Sequence, residues 1–275
     1  GLRDGSPCFL RAARERAEQA HVIVVNHALL LSDLARGGGL IPEYQHLIID
    51  EAHNLEDEAT RQLGFNVSQD KLDEVWEPQV RLTTQVRQAI AMEGLASSVQ
   101  DDAGIVVSGV ENESTKIKQI WIRLWSEIER FQANQRDSHD NGSQMLITPQ
   151  IRTSKDWDDL HLAWENLDVG LQQAAQSVGR LHRFLDSTKL PAANDQPALI
   201  METSNLMDDI ETLRANFNSI LGNPAEENIH WISNDQVRGR ATVSINSAPL
   251  DISSTLSNDL FQYKDSVVLT SATLS

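Results

Sequence analysis

Short runs of aliphatic and β-branched residues near both ends of the chain predict strands that are buried on both faces of a sheet. These runs are residues 21–25, 47–50 and 266–270. Residues 9–20 and 27–34 predict helices, the second of them capped by Asn26. Strands that alternate with helices are typical of a parallel sheet with crossover connections. The two ends therefore predict a partial parallel sheet of about three strands.

The middle of the chain has a different periodicity. Apolar residues recur every three or four positions in 117–131, 160–185 and 206–220, which predicts three amphipathic helices. A fourth helix is predicted over residues 70–92, with a kink at Pro78. The polar residues 132–143 predict a loop.

Two short β-branched stretches, residues 229–233 and 241–245, predict a hairpin that returns the chain to the sheet. The predicted fold class is α/β with a large all-α insertion. Its parts are an α/β segment in residues 1–60, a helical insertion in 61–228 and a return to the α/β segment in 229–275. Trp121, Trp125 and Trp164 lie on apolar helix stripes, so we expect them in a core rather than stacked on nucleic-acid bases.

Composition narrows the possible classes of protein. The 275 residues carry a net charge of −17, which argues against a broad basic surface for phosphate backbones. No apolar run approaches the roughly 20 residues that a membrane span needs. The one cysteine, Cys8, cannot form an internal disulfide, which fits a reducing cytoplasm. Arg238 and Arg240 could meet a phosphate, although solvated arginines in a turn are the commoner case.

Candidate chemistry lies in Asp50-Glu51-Ala52-His53, directly after a predicted strand. In nucleotide-hydrolysing proteins, a first carboxylate at such a place holds Mg²⁺, usually through water, and a second polarises the attacking water. The alternative is a strand end whose acids are solvated or cap the next helix. A second polar segment, Thr270-Ser271-Ala272-Thr273, follows the last predicted strand. Its hydroxyl groups could hydrogen-bond the carboxylate or the histidine.

Together, three segments resemble the DinG branch of the superfamily 2 DNA helicases, which are relatives of XPD. They are residues 24–27 (VVNH), 48–54 (IIDEAHN) and 268–275 (VLTSATLS), and residues 246–252 (NSAPLDI) resemble the approach to motif III of that branch. The family carries a helical insertion, the Arch, between motifs II and III. The resemblance thus implies that the helical middle of this chain is an Arch domain and that the segments at its two ends are parts of a RecA-like helicase domain.

The resemblance also implies roles for individual residues. Asp50 would coordinate the Mg²⁺ of ATP, and Glu51 would activate water for attack on the γ-phosphate. His53 would couple hydrolysis to DNA movement, together with Ser271 and Thr273. Such enzymes move 5′ to 3′ on single-stranded or forked DNA and unwind duplexes, and the Arch and an iron–sulfur domain frame the passage for the strand. A nucleoid-associated cytoplasmic protein is implied, with its protein partners left open.

The chain departs from the family pattern in two respects. It has no P-loop of the form G-x-x-x-x-G-K-[ST], and the arginine-bearing motifs of a second motor domain are absent. We therefore expect a fragment of a larger helicase that has no activity by itself. Cys8 stands where the last cluster cysteine of iron–sulfur members lies, but a cluster needs four thiolates. Cys8 could be such a ligand in the parent protein, a relic or an ordinary buried thiol, and no cluster is expected in this chain.

A different class of function is also open. A non-catalytic module whose acidic helical bundle docks a protein partner would fit the net charge of −17. The Asp-Glu-Ala-His and Ser-Ala-Thr segments favour the motor instead.

Overall fold

A computed structural model describes residues 9–92, 96–136, 144–190, 196–224, 226–237 and 240–272. Within these ranges the α-helices are α1 (Phe9–Glu18), α2 (His27–Ala35), α3 (Leu55–Leu63), α4 (Lys71–Met92), α5 (Ser97–Arg136), α6 (Lys155–Ser187), α7 (Gln196–Phe217) and α8 (Ile252–Thr255). The strands are β1 (His46–Ile49), β2 (Phe65–Ser68), β3 (Gln144–Leu146), β4 (Asn228–Val237), β5 (Arg240–Pro249) and β6 (Ser266–Leu269). An α/β arrangement with a large helical insertion, as predicted, is confirmed.

The chain divides into two compact units. The first consists of Gly1–Phe65, Glu227–Ile229 and Ser247–Ser275, and the second of Asn66–Glu226 and His230–Asn246. No described helix has the length and the apolar character needed to cross a bilayer.

In the first unit, β1 and β6 form a two-stranded parallel sheet, with His46 opposite Ser266 and Ile49 opposite Leu269. Leu47 and Ile49 point into a core that also contains Leu31 from α2 and Leu256, which follows α8. Asn26 caps α2, because its Oδ1 accepts a hydrogen bond from the backbone N–H of Leu29 at 2.9 Å. This cap and the core hold α2 against the sheet.

The predicted strand at residues 21–25 is wrong. These residues have no strand assignment, and Val22 and Val24 are 79% and 91% exposed. A β-branched run becomes a strand only when a neighbouring strand pairs with it, and the parallel sheet has β1 and β6 alone among the described residues. The partial sheet therefore has two described strands where about three were predicted.

In the second unit, α4, α5, α6 and α7 pack side by side, with α5 against α6 and α6 against α7. Trp121, Trp125 and Trp164 are at most 3% exposed, so their predicted place in a core is confirmed. The ring of Trp121 meets the rings of Trp125 and Phe217 edge-on, with centroids 5.8 and 5.6 Å apart. Trp164 stacks on Phe217, with ring centroids 5.6 Å apart. An aromatic cluster thus joins three of the long helices.

Two other sequence predictions are changed by the structure. Residues 132–136 are the last turn of α5 and not loop, because Phe131 and Gln132 are buried and extend the packed face of the helix. The rest of the predicted loop, residues 137–143, lies outside the described residues. The predicted hairpin is present as β4 and β5, but it does not join the parallel sheet as predicted, because it belongs to a separate four-stranded sheet of order β2-β5-β4-β3. Strands β2 and β3 were not predicted, since their sequences, FNVS and QML, contain no run of aliphatic or β-branched residues like those of β1 and β6.

Candidate functional site

The two polar segments singled out in the sequence lie side by side in the first unit. Ile49 and Leu269 are register partners in the parallel sheet, so Asp50 and Thr270 leave the sheet next to each other. The N–H of Thr270 donates to the carbonyl of Ile49 at 2.8 Å, and the N–H of Ala52 donates to the carbonyl of Thr270 at 2.9 Å. The backbone therefore joins segments that are more than 200 residues apart in the sequence.

Asp50 is fixed through one of its carboxylate oxygens. Its Oδ1 accepts hydrogen bonds from the hydroxyl of Thr270 at 2.6 Å and from the N–H of Glu51 at 3.0 Å. The Thr270 hydroxyl, then the Glu51 N–H and the charge of His27 lower the pKa of Asp50 below 3.8. No described group donates to Oδ2. An ionised, oriented carboxylate with one open oxygen fits the water-mediated ligand that Mg²⁺ takes with a nucleotide.

Glu51 has an uncommon backbone conformation. Its φ is +51°, in the left-handed region, and it is the one described residue other than glycine with a positive φ. Such a conformation costs of order 1–3 kcal/mol and concentrates at functional sites. The exposed carboxylate of Glu51 turns back towards His53, with Oε2 at 3.2 Å from Nδ1. Nothing in the sequence signals this conformation.

His53 connects the acidic segment to the hydroxyl segment through its side chain. Its Nδ1 lies 2.8 Å from Oγ of Ser271, and the same nitrogen faces Glu51. Nδ1 of His53 thus contacts both Glu51, the residue proposed to act on water, and Ser271, in the segment that follows β6.

His27 belongs to the same place, although the sequence assigned it no role. Its Nε2 lies 2.9 Å from the backbone carbonyl of Asp50, which requires a proton on Nε2 to donate. The only sequence signal for this contact is the position of His27 in the first turn of α2, after the Asn26 cap. The contact ties that turn to the backbone of the acidic segment.

Other residues named from the sequence lie apart from this site or outside the described residues. Thr273 and Cys8 are outside them, as are Arg238 and the side chain of Arg240. Among the described residues, no group of three or more His, Cys, Asp or Glu side chains is placed to hold a metal ion. A single cysteine in the chain does not fit an iron–sulfur cluster.

Replacing Thr270 with Val is expected to raise the pKa of Asp50, because the largest stabiliser of the ionised form is removed. A lowered carboxyl pKa stabilises the folded state above pH 3.8, and this contribution is lost as the pH falls through the folded-state pKa. The variant should therefore lose less stability than the original protein as the pH falls from 3.8 through the folded-state pKa of Asp50. Carboxyl NMR titration of the chain measures the shift directly.

An internal control is available in Asp251 of the same unit. Its pKa is lowered by the N–H and hydroxyl of Ser254, so it should not respond to a change at residue 270. If the titration of Asp50 is the same in both proteins, the hydroxyl of Thr270 does not hold this carboxylate.

Comparisons with known proteins match the part of the chain that contains the acidic segment. The DEAD_2 family matches residues 3–72, which include the acidic segment. The chain is 46% identical over 56 residues to "ATP-dependent helicase DinG" of Mycobacterium tuberculosis, an alignment that covers 20% of this chain and 8% of the relative. It is 44% identical over 69 residues to "ATP-dependent DNA helicase YoaA" of Escherichia coli, covering 24% of this chain and 11% of the relative.

A longer similarity extends through the helical unit. The chain is 23% identical over 272 residues to "3'-5' exonuclease DinG" of Bacillus subtilis, which covers 97% of this chain and 28% of the relative. The chain thus spans less than a third of the length of each of these curated relatives. With the local matches around the acidic segment, this similarity confirms the resemblance of the chain to a segment of the DinG-type helicases.

Proposed function

We propose that this chain supplies the water-activating and coupling segments of an ATP-dependent DNA helicase. The observation that carries the proposal is the hydrogen bond between His53 and Ser271, at 2.8 Å. It connects a carboxylate pair suited to Mg²⁺ and water with a second segment after a neighbouring strand. A pair of acids that merely capped a helix would not need this connection.

The roles follow from the contacts of each side chain. Asp50, held ionised by Thr270, would bind the Mg²⁺ of ATP through its open oxygen. Glu51 would accept a proton from, or orient, the water that attacks the γ-phosphate. His53, between Glu51 and Ser271, would transmit the state of the nucleotide, and Thr273 would take part with Ser271.

We further propose that the longer protein moves 5′ to 3′ on single-stranded or forked DNA, with the second unit as its Arch. Both statements rest on the resemblance to the DinG branch. The chain itself contains no P-loop sequence to hold the β- and γ-phosphates. We therefore propose that it hydrolyses no ATP when isolated. An iron–sulfur cluster in the longer protein, with Cys8 as one ligand, would need three further cysteines from elsewhere.

The coupling role of His53 is tested by the substitutions His53→Ala and Ser271→Ala, alone and together, in a longer protein that carries this chain and a P-loop. We expect ATP hydrolysis to continue while the number of base pairs unwound per ATP falls in each variant. The free-energy effects of substitutions at two residues in direct contact depart from additivity by about 0.5–3 kcal/mol. The double variant should therefore be little worse than His53→Ala. The measurement is ATP turnover and strand separation on the same sample.

Ser257→Ala is a matched control, because Ser257 is an exposed serine of the same unit. It should leave both activities unchanged. If the two single effects simply add, or if unwinding and hydrolysis fall in equal proportion, then the contact between His53 and Ser271 does not couple them.

A further inference from the structure

Hydrogen bonds hold the backbone on both sides of Glu51. Its φ and ψ are +51° and +43°, a left-handed conformation that is unfavourable for a residue with a Cβ. Such a conformation persists only where its surroundings determine it. After Glu51, the N–H of Ala52 donates to the carbonyl of Thr270 at 2.9 Å. The carbonyl of Glu51 itself accepts from the N–H of Asn54 at 3.0 Å, so backbone groups alone fix this side.

The peptide unit that precedes Glu51 is held by side chains instead. Its N–H donates to Oδ1 of Asp50 at 3.0 Å, and its carbonyl, that of Asp50, accepts from Nε2 of His27 at 2.9 Å. Rotation about the N–Cα bond of Glu51 turns this peptide unit relative to the next one, so φ depends on where the unit is held. The carboxylate of Asp50 belongs to the same residue as the carbonyl, whereas His27 comes from α2. His27 therefore ties this peptide unit directly to another element.

His27 is well placed for this contact because it is the first residue of a helix that is itself fixed. Oδ1 of Asn26 caps α2, and Leu30 and Leu31 are 4% and 0% exposed in the core of the first unit. The side chain of His27 is only partly buried. Since the cap and the core already hold α2, the main consequence of the His27 hydrogen bond lies at the carbonyl that it reaches.

The two neighbours of Asp50 have different effects on it. The pKa of Asp50 is lowered first by the hydroxyl of Thr270 and then by the N–H of Glu51, and the charge of His27 comes last among the causes. Thr270 thus keeps the carboxylate ionised, while His27 holds the carbonyl of the same residue. The contribution of His27 to the site is therefore mainly one of position.

We propose that His27 is a positioning residue that holds the peptide between Asp50 and Glu51 and thereby keeps Glu51 in its left-handed conformation. In this conformation the carboxylate of Glu51 lies 3.2 Å from Nδ1 of His53. A general base must lie within hydrogen-bond reach of the proton that it accepts, and a misplacement of about 1 Å can lower a rate about a hundredfold. The effect on conformation follows from the contacts alone, whereas the effect on ATP turnover rests on the proposed function.

NMR of the 275-residue chain without nucleotide tests the effect on conformation. A positive φ brings the amide proton of a residue close to its own Hα, which gives Glu51 a strong intraresidue nuclear Overhauser effect. This signal should weaken in His27→Ala, because the other allowed regions of φ place the two protons further apart. It should return in His27→Gln, since Nε2 of glutamine is the same number of bonds from Cβ as Nε2 of histidine and can donate to the same carbonyl.

His46→Ala is the matched control. His46 begins β1, and its Nδ1 lies 3.0 Å from Oγ of Ser266, so this variant also loses a histidine hydrogen bond in the first unit. It should leave the Glu51 signal unchanged. Circular dichroism shows whether each variant is folded. His27→Phe keeps a ring and removes the donor, and it replaces His27→Ala in the comparison if His27→Ala is unfolded.

The effect on ATP turnover is measured in a longer protein that carries this chain and a P-loop. His27→Ala should lower kcat about two- to tenfold, the effect of one lost hydrogen bond, with the KM for ATP little changed. Because His27 acts through Glu51, His27→Ala should lower turnover little further when Glu51→Gln is already present. A residue that only stabilised the fold would lower turnover by the same factor in both backgrounds.

Three outcomes overturn the positioning role of His27. They are an unchanged Glu51 signal in His27→Ala, an equal loss of this signal in His46→Ala, and an equal loss of turnover by His27→Ala with and without Glu51→Gln. Turnover that depends on Glu51 but is unchanged by His27→Ala would likewise refute this role and leave the helicase proposal intact. A longer protein that hydrolyses no ATP, together with a chain in which His27 holds Glu51, would refute the helicase proposal alone.

Discussion

Replacing Glu51 with Gln is expected to lower ATP turnover by about 10²- to 10⁴-fold, the usual contribution of a general base or acid. The substitution would be made in a longer protein in which this chain is accompanied by a P-loop. Gln keeps the shape of Glu and can still reach His53, but it cannot accept a proton from water. ATP binding should be little changed, because the proposed Mg²⁺ ligand is Asp50.

The matched control for this prediction is Glu56→Gln. Glu56 is an exposed glutamate in the first turn of α3, five residues further along the chain. Its replacement by Gln is the same chemical change, made outside the site. Turnover and nucleotide affinity are measured for both variants under single-turnover conditions, which separate binding from chemistry. Retained hydrolysis in Glu51→Gln would refute the role proposed for this carboxylate.

Replacing Trp121 with Ala is expected to destabilise the helical unit by about 3–5 kcal/mol, the range for removing a buried aromatic side chain. Trp121 is 2% exposed and contacts the rings of Trp125 and Phe217. Its indole N–H also donates to the carbonyl of Gln69 at 2.7 Å, which would lose its partner. Trp121→Phe keeps part of the ring contacts and should cost less than Trp121→Ala, because Gln69 is exposed and its carbonyl can accept a hydrogen bond from water.

Urea unfolding of the chain, followed by circular dichroism at a helix wavelength, measures these differences. Ile122→Ala is the control. Ile122 is next to Trp121 on the same helix but is 55% exposed, so its replacement should change the free energy of unfolding by less than about 0.5 kcal/mol. The same variants distinguish a core role from base stacking. A Trp121→Ala protein with unchanged stability and weakened binding of single-stranded DNA would contradict the packing described for this residue.

Helical periodicity predicted the second unit well because its helices are long. Apolar stripes repeat over many turns in α6 and α7, so one misplaced residue does not hide the pattern. The same reasoning overestimated the sheet. The run at residues 21–25 has the composition of a strand, but Val24 is 91% exposed, since pairing with another strand depends on residues far away in the sequence.

The candidate site was predictable in its composition but not in its geometry. Asp50, Glu51 and His53 follow a recognisable strand, and Ser271 follows another. The positive φ of Glu51 and the contact of His27 with the backbone of Asp50 are features of the folded chain that no residue pattern signals. Thr273 lies outside the described residues, so its role stays a prediction.

The most direct measurement is the rate of ATP hydrolysis with and without single-stranded DNA, for two proteins. One is the isolated 275-residue chain, and the other is a longer protein that holds the same residues together with a P-loop. We predict no turnover by the chain alone and turnover that rises with DNA in the longer protein, because the acidic segment needs a phosphate cradle to act. DNA-stimulated hydrolysis by the isolated chain, or none in a longer protein that binds ATP, would contradict the proposed function.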